Sequence, residues 1–225
     1  MPEVVVHRPA ELAHRTARAA VTVTGPDGRP LADTAVVVAQ RRHAFTFGNI
    51  GFDLVALANG ESDASGDFAG AHGNLEHLAR LWLDVFNTAT LPFYWRRFER
   101  ERDRPDTACL LRAAQWFRER GVALKGHPLV WHTLAPRWLM PLSDHEVEAA
   151  ARGRIRREVT DFAGLIDTWD AVNEAVIMPV FTAEGNAITR LAQRQGRVGM
   201  VRLAFETARA ANPSATLLLS DFDLS

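Results

Sequence analysis

Apolar residues recur along the chain with two different spacings. Short apolar runs rich in β-branched and aromatic residues alternate with longer stretches in which apolar residues return every three or four positions. The first pattern predicts strands that are buried on both faces, and the second predicts amphipathic helices. Because strands and helices alternate, we expect the strands to lie parallel and to be joined by helical crossovers.

Five strands are predicted, counting from Phe45. They lie in the segments HAFTFGNIGF (43–52, closed by Gly48), VFNTATLPFYW (85–95), VALKGHPLVWH (122–132), TWDAVNEAV (168–176) and ATLLLSDF (215–222). Helices are predicted between them, in the segments 74–86, 107–121, 143–166 and 199–213. Residues 59–73 are rich in Gly, Ser and Asp and predict a loop, and residues 177–198 are interpreted as a long polar connection.

Two of the predicted helices show which face they bury. Ser143 and Glu146 have the spacing of a capping box at the start of the third helix. The residues spaced for its core-facing stripe are Val147, Ala151, Ile155, Val159, Phe162 and Ile166. The stripe expected in the first helix is Leu75, Leu78, Leu81 or Trp82, and Val85.

Two architectures fit alternating strands and helices: an open doubly wound sheet and a (β/α)₈ barrel. The first strand-to-helix turn, FGNIGF, opens no predicted helix and lacks the third glycine of a dinucleotide-binding loop. Polar and aromatic residues instead gather at the carboxyl ends of successive strands, where barrel enzymes keep their chemistry. The predicted fold class is therefore α/β, a (β/α)₈ TIM barrel of which about five strands lie in this chain.

The first 44 residues have a different pattern from the rest. Two β-branched runs flank Pro26, Asp27 and Gly28, which form a strong turn signal. We expect a small antiparallel β element over residues 1–44, packed on the barrel. Residues 45–225 are then expected to form the first five βα units of the barrel domain.

Composition narrows the classes of function. The 225 residues are 47% hydrophobic and 24% charged with a net charge of −1, which is typical of a globular protein and gives no overall field that attracts nucleic acid or membrane. The single cysteine, Cys109, allows no intramolecular disulfide bond. Neither a signal-peptide apolar region nor a run of membrane-spanning length is found, so the chain as given is expected to be cytoplasmic.

The segment KGHPLVWHTLAPRW (125–138) gathers candidate binding residues at one strand end. His127, Trp131 and His132 do not have the spacing of a zinc site, and the chain contains no phosphate-binding loop, so we expect neither a metal nor a cofactor. Each of these residues taken alone is more often a packing residue. Together, imidazoles and indoles suit a sugar, whose C–H faces stack on indole and whose hydroxyls need fixed donors and acceptors.

Asn173 and Glu174 follow the buried run of the fourth predicted strand. Such a pair is most often an ordinary turn, but its position at the mouth of a barrel favours chemistry. Cleavage of a glycosidic bond needs a carboxylic acid that protonates the leaving oxygen and a second carboxylate on the other side of the sugar. Glu174 is the candidate for the acid, and Asn173 is a candidate to bind the sugar 2-hydroxyl.

These strings resemble one known family. GHPLVWH, WDAVNEA and LLLSDFD are similar, in order and spacing, to the third, fourth and fifth barrel strands of glycoside hydrolase family 10, the retaining endo-β-1,4-xylanases. The N-terminal V-T-x-x-x-G-x-P-L leading to F-x-F-G resembles the entry to that barrel. The resemblance implies a retaining endo-β-1,4-glycanase that binds a β-1,4-linked polysaccharide or oligosaccharide, and no nucleic acid or membrane partner.

The resemblance also implies residue roles and shows departures from the family pattern. By resemblance Glu174 is the general acid/base, Asn173 a ligand of the 2-hydroxyl, and His127, Trp131 and His132 the walls of the sugar subsite. The family's Thr-x-Glu-Asn-x-x-Lys-Trp is replaced by the aromatic string TLPFYW, and its nucleophile string Thr-Glu-x-Asp is absent from the 225 residues. The chain is therefore expected to be the N-terminal portion of a barrel with its nucleophile farther along; the alternative is a non-catalytic carbohydrate-binding relative.

Overall fold

The structure, a computed structural model, describes residues 18, 20–39, 44–61 and 74–222. The chain divides into two compact units, residues 1–43 and 44–225. In the described part of the second unit, five parallel strands form one sheet in sequence order. The strands are β1 Gly48–Ile50, β2 Thr88–Pro92, β3 Ala123–His127, β4 Thr168–Asn173 and β5 Thr216–Ser220.

Helices connect the strands, as the alternating pattern predicts. The α-helices are α1 Asp53–Ala58, α2 Leu75–Val85, α3 Trp95–Phe98, α4 Thr107–Glu119, α5 Asp144–Asp161 and α6 Ala187–Ala211. Short 3-10 helices lie at Arg137–Leu139 and Met178–Val180. Among the described residues, no helix is both long and apolar enough to cross a membrane.

The first unit contains the predicted turn. Gly28 has a φ of 76°, and the backbone N–H of Gly28 donates to the Gly25 carbonyl at 2.9 Å. Thr24 and Pro30 form an antiparallel bridge across this turn. The described residues of this unit therefore contain a tight hairpin turn with a single bridge, and the packing of the element on the barrel stays a prediction.

Four details of the sequence prediction are wrong. The turn FGNIGF is predicted to open no helix, but it leads directly into α1 at Asp53. Residues 177–198 are not all connection, because α6 begins at Ala187 and continues past a break at Gly196, which has a φ of 73° and a ψ of 169°. Gly48 begins β1 instead of closing it. In α2 the buried face includes Trp82, whereas Leu81 and Val85 are more than half exposed.

Helix α5 shows how the predicted stripe stabilises the fold. Ser143 accepts from the Glu146 N–H, and Glu146 accepts from the Ser143 N–H at 2.8 Å, so the capping box is confirmed. The six residues of the stripe are at most 1% exposed: Val147, Ala151, Ile155, Val159, Phe162 and Ile166. Fully burying an aliphatic or aromatic side chain contributes roughly 1.5–3 kcal/mol, so this face anchors the helix to the core.

The centre of the sheet holds the large side chain of Trp169. This side chain fits because the neighbouring residue on β3, Gly126, is a glycine. Trp169 on β4 is fully buried and packs against the rings of Phe93 and Phe162, with centroid distances of 4.8 and 6.3 Å. A Cβ atom on Gly126 of β3 would lie 2.2 Å from the Trp169 ring. The close approach of this backbone to the indole therefore requires glycine at position 126.

Candidate active site

Three polar side chains of the neighbouring strands β3 and β4 contact one another near the carboxyl ends of these strands. Lys125 and His127 lie two residues apart on β3 and so share one face. The Asp170 carboxylate on β4 lies 2.8 Å from Lys125 Nζ and 2.7 Å from His127 Nδ1, all through its Oδ2 atom. Asp170 is therefore the common partner of the chain's only lysine and a predicted site histidine.

Asp170 controls the orientation of His127. Burial raises the pKa of the Asp170 carboxyl, but the hydrogen bonds and charges of His127 and Lys125 outweigh burial and hold that pKa below its usual range. Because an ionised carboxylate only accepts, His127 must carry its proton on Nδ1. With the proton on Nδ1, Nε2 is the ring nitrogen left to face a ligand.

A bulge in β4 separates Asp170 from the residues that end the strand. Asp170 pairs with Leu218 and Val172 with Leu219, so Ala171 is the extra residue. Bulges of this kind redirect the side chains that follow them and often lie beside active sites. Asn173, the last residue of β4, is 8% exposed, and its N–H donates to the Val130 carbonyl at 2.9 Å.

Glu174 follows β4 in a backbone conformation that is rare for a residue with a side chain. Its φ is 56°, in the left-handed region. The Glu174 N–H donates to the Ser220 carbonyl at 2.8 Å, and the Val176 N–H donates to Asp221 Oδ2 at 3.0 Å. The end of β5 thus holds the turn in which Glu174 lies.

Two residues of the segment after β3 converge on the Glu174 carboxylate. Trp131 Nε1 donates to Glu174 Oε2 at 2.7 Å, and His132 Nε2 lies 3.6 Å from the same oxygen. The Glu174 side chain is 22% exposed, so the carboxylate is partly shielded and still open to a ligand. An indole donor at this distance fixes the carboxylate without neutralising it.

His132 is a neutral member of this group. Its side chain is 1% exposed, and the Phe181 ring packs against the imidazole at a centroid distance of 4.3 Å. Burial lowers the pKa of His132 to about 4, and the nearby Asp221 charge only partly opposes this. The contact with Glu174 is therefore not an ion pair near neutral pH, and at 3.6 Å it is longer than a hydrogen bond.

Tyr94 extends the aromatic wall of the site. It follows β2 and packs against His127 and Trp131, with ring centroids 5.7 and 5.4 Å away. Phe52, which precedes α1, lies edge-on to Tyr94 at 5.8 Å. Burial raises the pKa of the Tyr94 hydroxyl, so the phenol is neutral. The string TLPFYW therefore contributes an aromatic side chain to the site.

A buried arginine on α5 binds the backbone of the segments that follow β2 and β3. Arg154 on α5 is 2% exposed and donates to the carbonyls of Leu129 at 2.6 Å, Pro128 at 3.1 Å and Phe93. Its Nε donates to Glu158 Oε1 at 2.8 Å. Because these carbonyls directly precede Tyr94 or follow His127, Arg154 ties together the two segments that carry the aromatic wall.

The five predicted site residues occupy one region of the structure. His127 ends β3, Trp131 and His132 follow it, and Asn173 and Glu174 end β4 and begin the next loop. Sequence reasoning did not assign a role to Tyr94, Asp170 and Phe181, which contact this group, or to Lys125, which pairs with Asp170. The available signal for Lys125 was its position two residues before His127, on the same strand face.

Glu184, in the loop after β4, is paired with an arginine. Its Oε1 atom accepts from Arg96 Nη2 at 2.5 Å, and its side chain is 38% exposed. This pairing gives the Glu184 carboxylate a structural partner. Within the described residues, no three His, Cys, Asp or Glu side chains are grouped so that they could hold a metal ion.

Comparison with solved structures defines the class of fold. The similar structures are (β/α)₈ barrels. A xylanase from Thermotoga petrophila in complex with xylobiose matches with a TM-score of 0.58 at 23% identity, over 78% of this chain and 49% of that one. The described sheet is thus an open, incomplete (β/α)₈ barrel with five parallel strands, which confirms the predicted fold class.

Sequence comparison defines the family. The family described as Glycosyl hydrolase family 10 matches residues 88–225. Endo-1,4-beta-xylanase 3 of Hypocrea jecorina is 30% identical over 107 residues, 47% of this chain and 29% of the relative. Beta-1,4-xylanase of Dictyoglomus thermophilum is 27% identical over 159 residues, 68% of this chain and 44% of the relative.

The chain belongs to glycosyl hydrolase family 10, which confirms the resemblance found in its strand-end strings. It spans less than half the length of the two relatives described.

Proposed function

We propose that this chain carries the acid/base residue of a retaining endo-β-1,4-glycanase of the xylanase kind, and that this residue is Glu174. The observation that carries the proposal is the convergence of Trp131 and His132 on the Glu174 carboxylate at the carboxyl end of β4. The family membership and the relatives named as xylanases support β-1,4-linked xylan as the substrate class.

Glu174 would act twice in one turnover. As an acid it protonates the leaving glycosidic oxygen, and as a carboxylate it then takes a proton from the water that hydrolyses the covalent intermediate. Glu174 Oε2 accepts the Trp131 N–H, so we assign the proton transfers to Oε1. A neutral His132 beside Oε2 adds no positive charge that would oppose protonation of the carboxylate.

The other predicted residues would bind the sugar. His127 presents Nε2 to the sugar because Asp170 and Lys125 fix its Nδ1 side, so Asp170 and Lys125 act as positioning residues. Asn173 offers an amide to the 2-hydroxyl, and the ring of Trp131 offers an apolar face to the sugar C–H groups.

A retaining reaction needs a second carboxylate. We place this nucleophile beyond residue 225, in a Thr-Glu-x-Asp string of the family pattern, about 5–5.5 Å from the Glu174 carboxyl. Glu184 is not proposed for this role because its carboxylate is paired with Arg96.

The test is hydrolysis by the full-length protein of xylan and of mixed-linkage β-glucan, measured as new reducing ends. Glu174→Gln is expected to lower kcat by about 10²- to 10⁴-fold with little change in substrate affinity, the range typical of a lost general acid. Glu206→Gln is the matched control, since Glu206 lies on α6 with a side chain 64% exposed. Correctly folded wild type that releases no reducing ends from either polymer would refute the proposal, as would a Glu174→Gln variant as active as the control.

A second candidate is a non-catalytic carbohydrate-binding protein. Tyr94, which contacts His127 and Trp131 where the family pattern has polar residues, favours it. The open reading frame beyond Ser225 distinguishes the two. A continuing frame with Thr-Glu-x-Asp about a hundred residues on supports the enzyme, as expected from barrel length. A stop codon, together with calorimetric binding of xylo-oligosaccharides without product, supports the binding protein.

A further inference from the structure

The loop between β4 and α6 makes two contacts that the proposed reaction does not use. Phe181 packs its ring against His132 at a centroid distance of 4.3 Å. Glu184, three residues later, accepts from Arg96 Nη2 at 2.5 Å. One contact covers a site imidazole, and the other ties the same loop to a distant part of the chain.

Arg96 is well placed to act as an anchor. Its N–H donates to the Leu134 carbonyl at 2.7 Å, and its Nε donates to the Ala135 carbonyl at 2.9 Å. Arg96 itself belongs to α3, which follows β2. Arg96 therefore joins the segments after β2 and β3 to the loop after β4 through three hydrogen bonds, one from its backbone N–H and two from the charged guanidinium.

The other end of the loop is also fixed. Asn186 caps α6 by accepting the Thr189 N–H at 2.8 Å, and its amide donates to the Glu184 carbonyl at 3.1 Å. Glu184 thus lies between a capped helix start and Phe181. Because only two residues separate Glu184 from Phe181, the position of the Glu184 carboxylate restricts where the Phe181 ring can lie.

His132 depends on packing to keep its place. Its Nδ1 atom is buried and has no hydrogen-bond partner among the described residues. Its Nε2 atom is 3.6 Å from Glu174, beyond hydrogen-bond range. With no hydrogen bond holding the ring, packing keeps the imidazole beside Glu174, and the rings that pack against it are Phe181 at 4.3 Å and Trp131 at 6.0 Å.

We infer that Arg96 and Glu184 are positioning residues, and that their ion pair holds the β4–α6 loop so that Phe181 covers His132 and keeps the imidazole beside Glu174. This inference rests on the proposed function, because the Glu174 site matters for catalysis only if Glu174 is the acid/base. The loop contact itself is measurable without turnover.

The test is an NMR pH titration of the His132 ring in the full-length protein, with the resonance assigned by loss of the signal in His132→Asn. The wild-type midpoint is expected near pH 4, because the ring is buried. Glu184→Gln and the shorter Glu184→Asp are each expected to raise the midpoint by about one pH unit or more, as the uncovered ring gains water. Phe181→Ala is expected to do the same. The acids that face His132, Glu174 and Asp221, are unchanged in these variants.

Glu148→Gln is the control, because the Glu148–Arg152 pair on α5 has a length of 2.9 Å and side chains 30% and 33% exposed, similar to the Arg96–Glu184 pair. It is expected to leave the His132 midpoint unchanged. The inference is overturned if both Glu184 variants, folded by circular dichroism, titrate like wild type, or if the control shifts the midpoint equally. Failure of the proposed function would appear separately, as wild-type protein that does not hydrolyse xylan.

Discussion

Glu174 combines a carboxylate at the edge of the sheet with a strained backbone. The left-handed conformation at a φ of 56° costs a residue with a Cβ atom roughly 1–2 kcal/mol. The hydrogen bonds to the Ser220 carbonyl and from Val176 to Asp221 hold this conformation in place. Strain that the surrounding structure enforces at a polar residue is a feature of functional sites.

The strain at Glu174 predicts a stability difference between two substitutions. Both Glu174→Gly and Glu174→Ala remove the carboxylate, but only glycine adopts the left-handed conformation without a steric cost. The glycine variant is expected to be more stable than the alanine variant by about 1 kcal/mol in urea unfolding. Equal stability, or a more stable alanine variant, would show that position 174 carries no such strain.

The residues that sequence reasoning could predict are those that follow strands in local strings. His127, Trp131, His132, Asn173 and Glu174 belong to this group, and the structure brings them to one region. Asp170 could not be assigned in this way. Its function depends on Lys125 and His127 of the neighbouring strand, and such pairing across strands is not visible in local spacing.

At the scale of elements, β3 and β4 pack closely because Gly126 lies against Trp169. An added methyl group at position 126 would meet the indole at 2.2 Å, and Trp169 is fully buried and has no room to move. The sheet centre, and through it the spacing of His127 and Asp170, depends on this contact.

This contact predicts opposite effects for two glycine substitutions. Gly126→Ala is expected to destabilise the protein by about 1–3 kcal/mol or more through overpacking. Gly153→Ala is the matched control, since its Cβ would meet no atom within 4 Å inside α5, and it is expected to stabilise by about 0.5–1 kcal/mol. Urea unfolding of both variants tests this, and a Gly126→Ala variant as stable as wild type would contradict the packing described.

The helices that can be predicted from the sequence are those with a capping or terminating residue or with a regular apolar face. For α6 only the second half is predicted. Its first half, from Ala187, has apolar residues at helical spacing, Ile188, Leu191 and Ala192, which are all buried. Asn186 also provides a cap. The break at Gly196 and the surrounding Arg and Gln residues conceal this pattern, so the sequence predicts a connection there.

At the scale of the whole molecule, the stability of the folded protein depends on the protonation of two buried groups, Glu158 and His132. Their contributions change in opposite directions as pH rises. Burial raises the pKa of Glu158 to about 6, although the Arg154 and Arg157 charges oppose it. The folded state then binds more protons than the unfolded state between about pH 4.5 and 6, so this group's contribution to stability is lost as pH rises through that window. His132 has its pKa lowered to about 4, so its contribution is present above pH 6.5 and is lost as pH falls toward 4.

The variant Glu158→Gln separates the contribution of Glu158 to the pH dependence of stability from that of His132. The variant lacks the titrating carboxyl, so the stability of wild type relative to the variant is expected to fall by roughly 1–2 kcal/mol between pH 4.5 and pH 7. Urea unfolding of both proteins at the two pH values measures this difference. A difference that is the same at both pH values would show that Glu158 does not titrate in this range.

The central claim is that Glu174 protonates the glycosidic oxygen, and the most direct measurement compares aryl β-xylobiosides whose phenol leaving groups differ in pKa. A phenol that leaves readily as an anion needs no proton from the protein, whereas a poor leaving group does. In the full-length protein, kcat/KM, which reports the step that releases the phenol, is expected to change little in Glu174→Gln with the most acidic phenol and to fall about 10²- to 10⁴-fold with the least acidic one. If the rate fell by the same proportion along the series in wild type and in Glu174→Gln, the assignment of Glu174 as the acid would be contradicted.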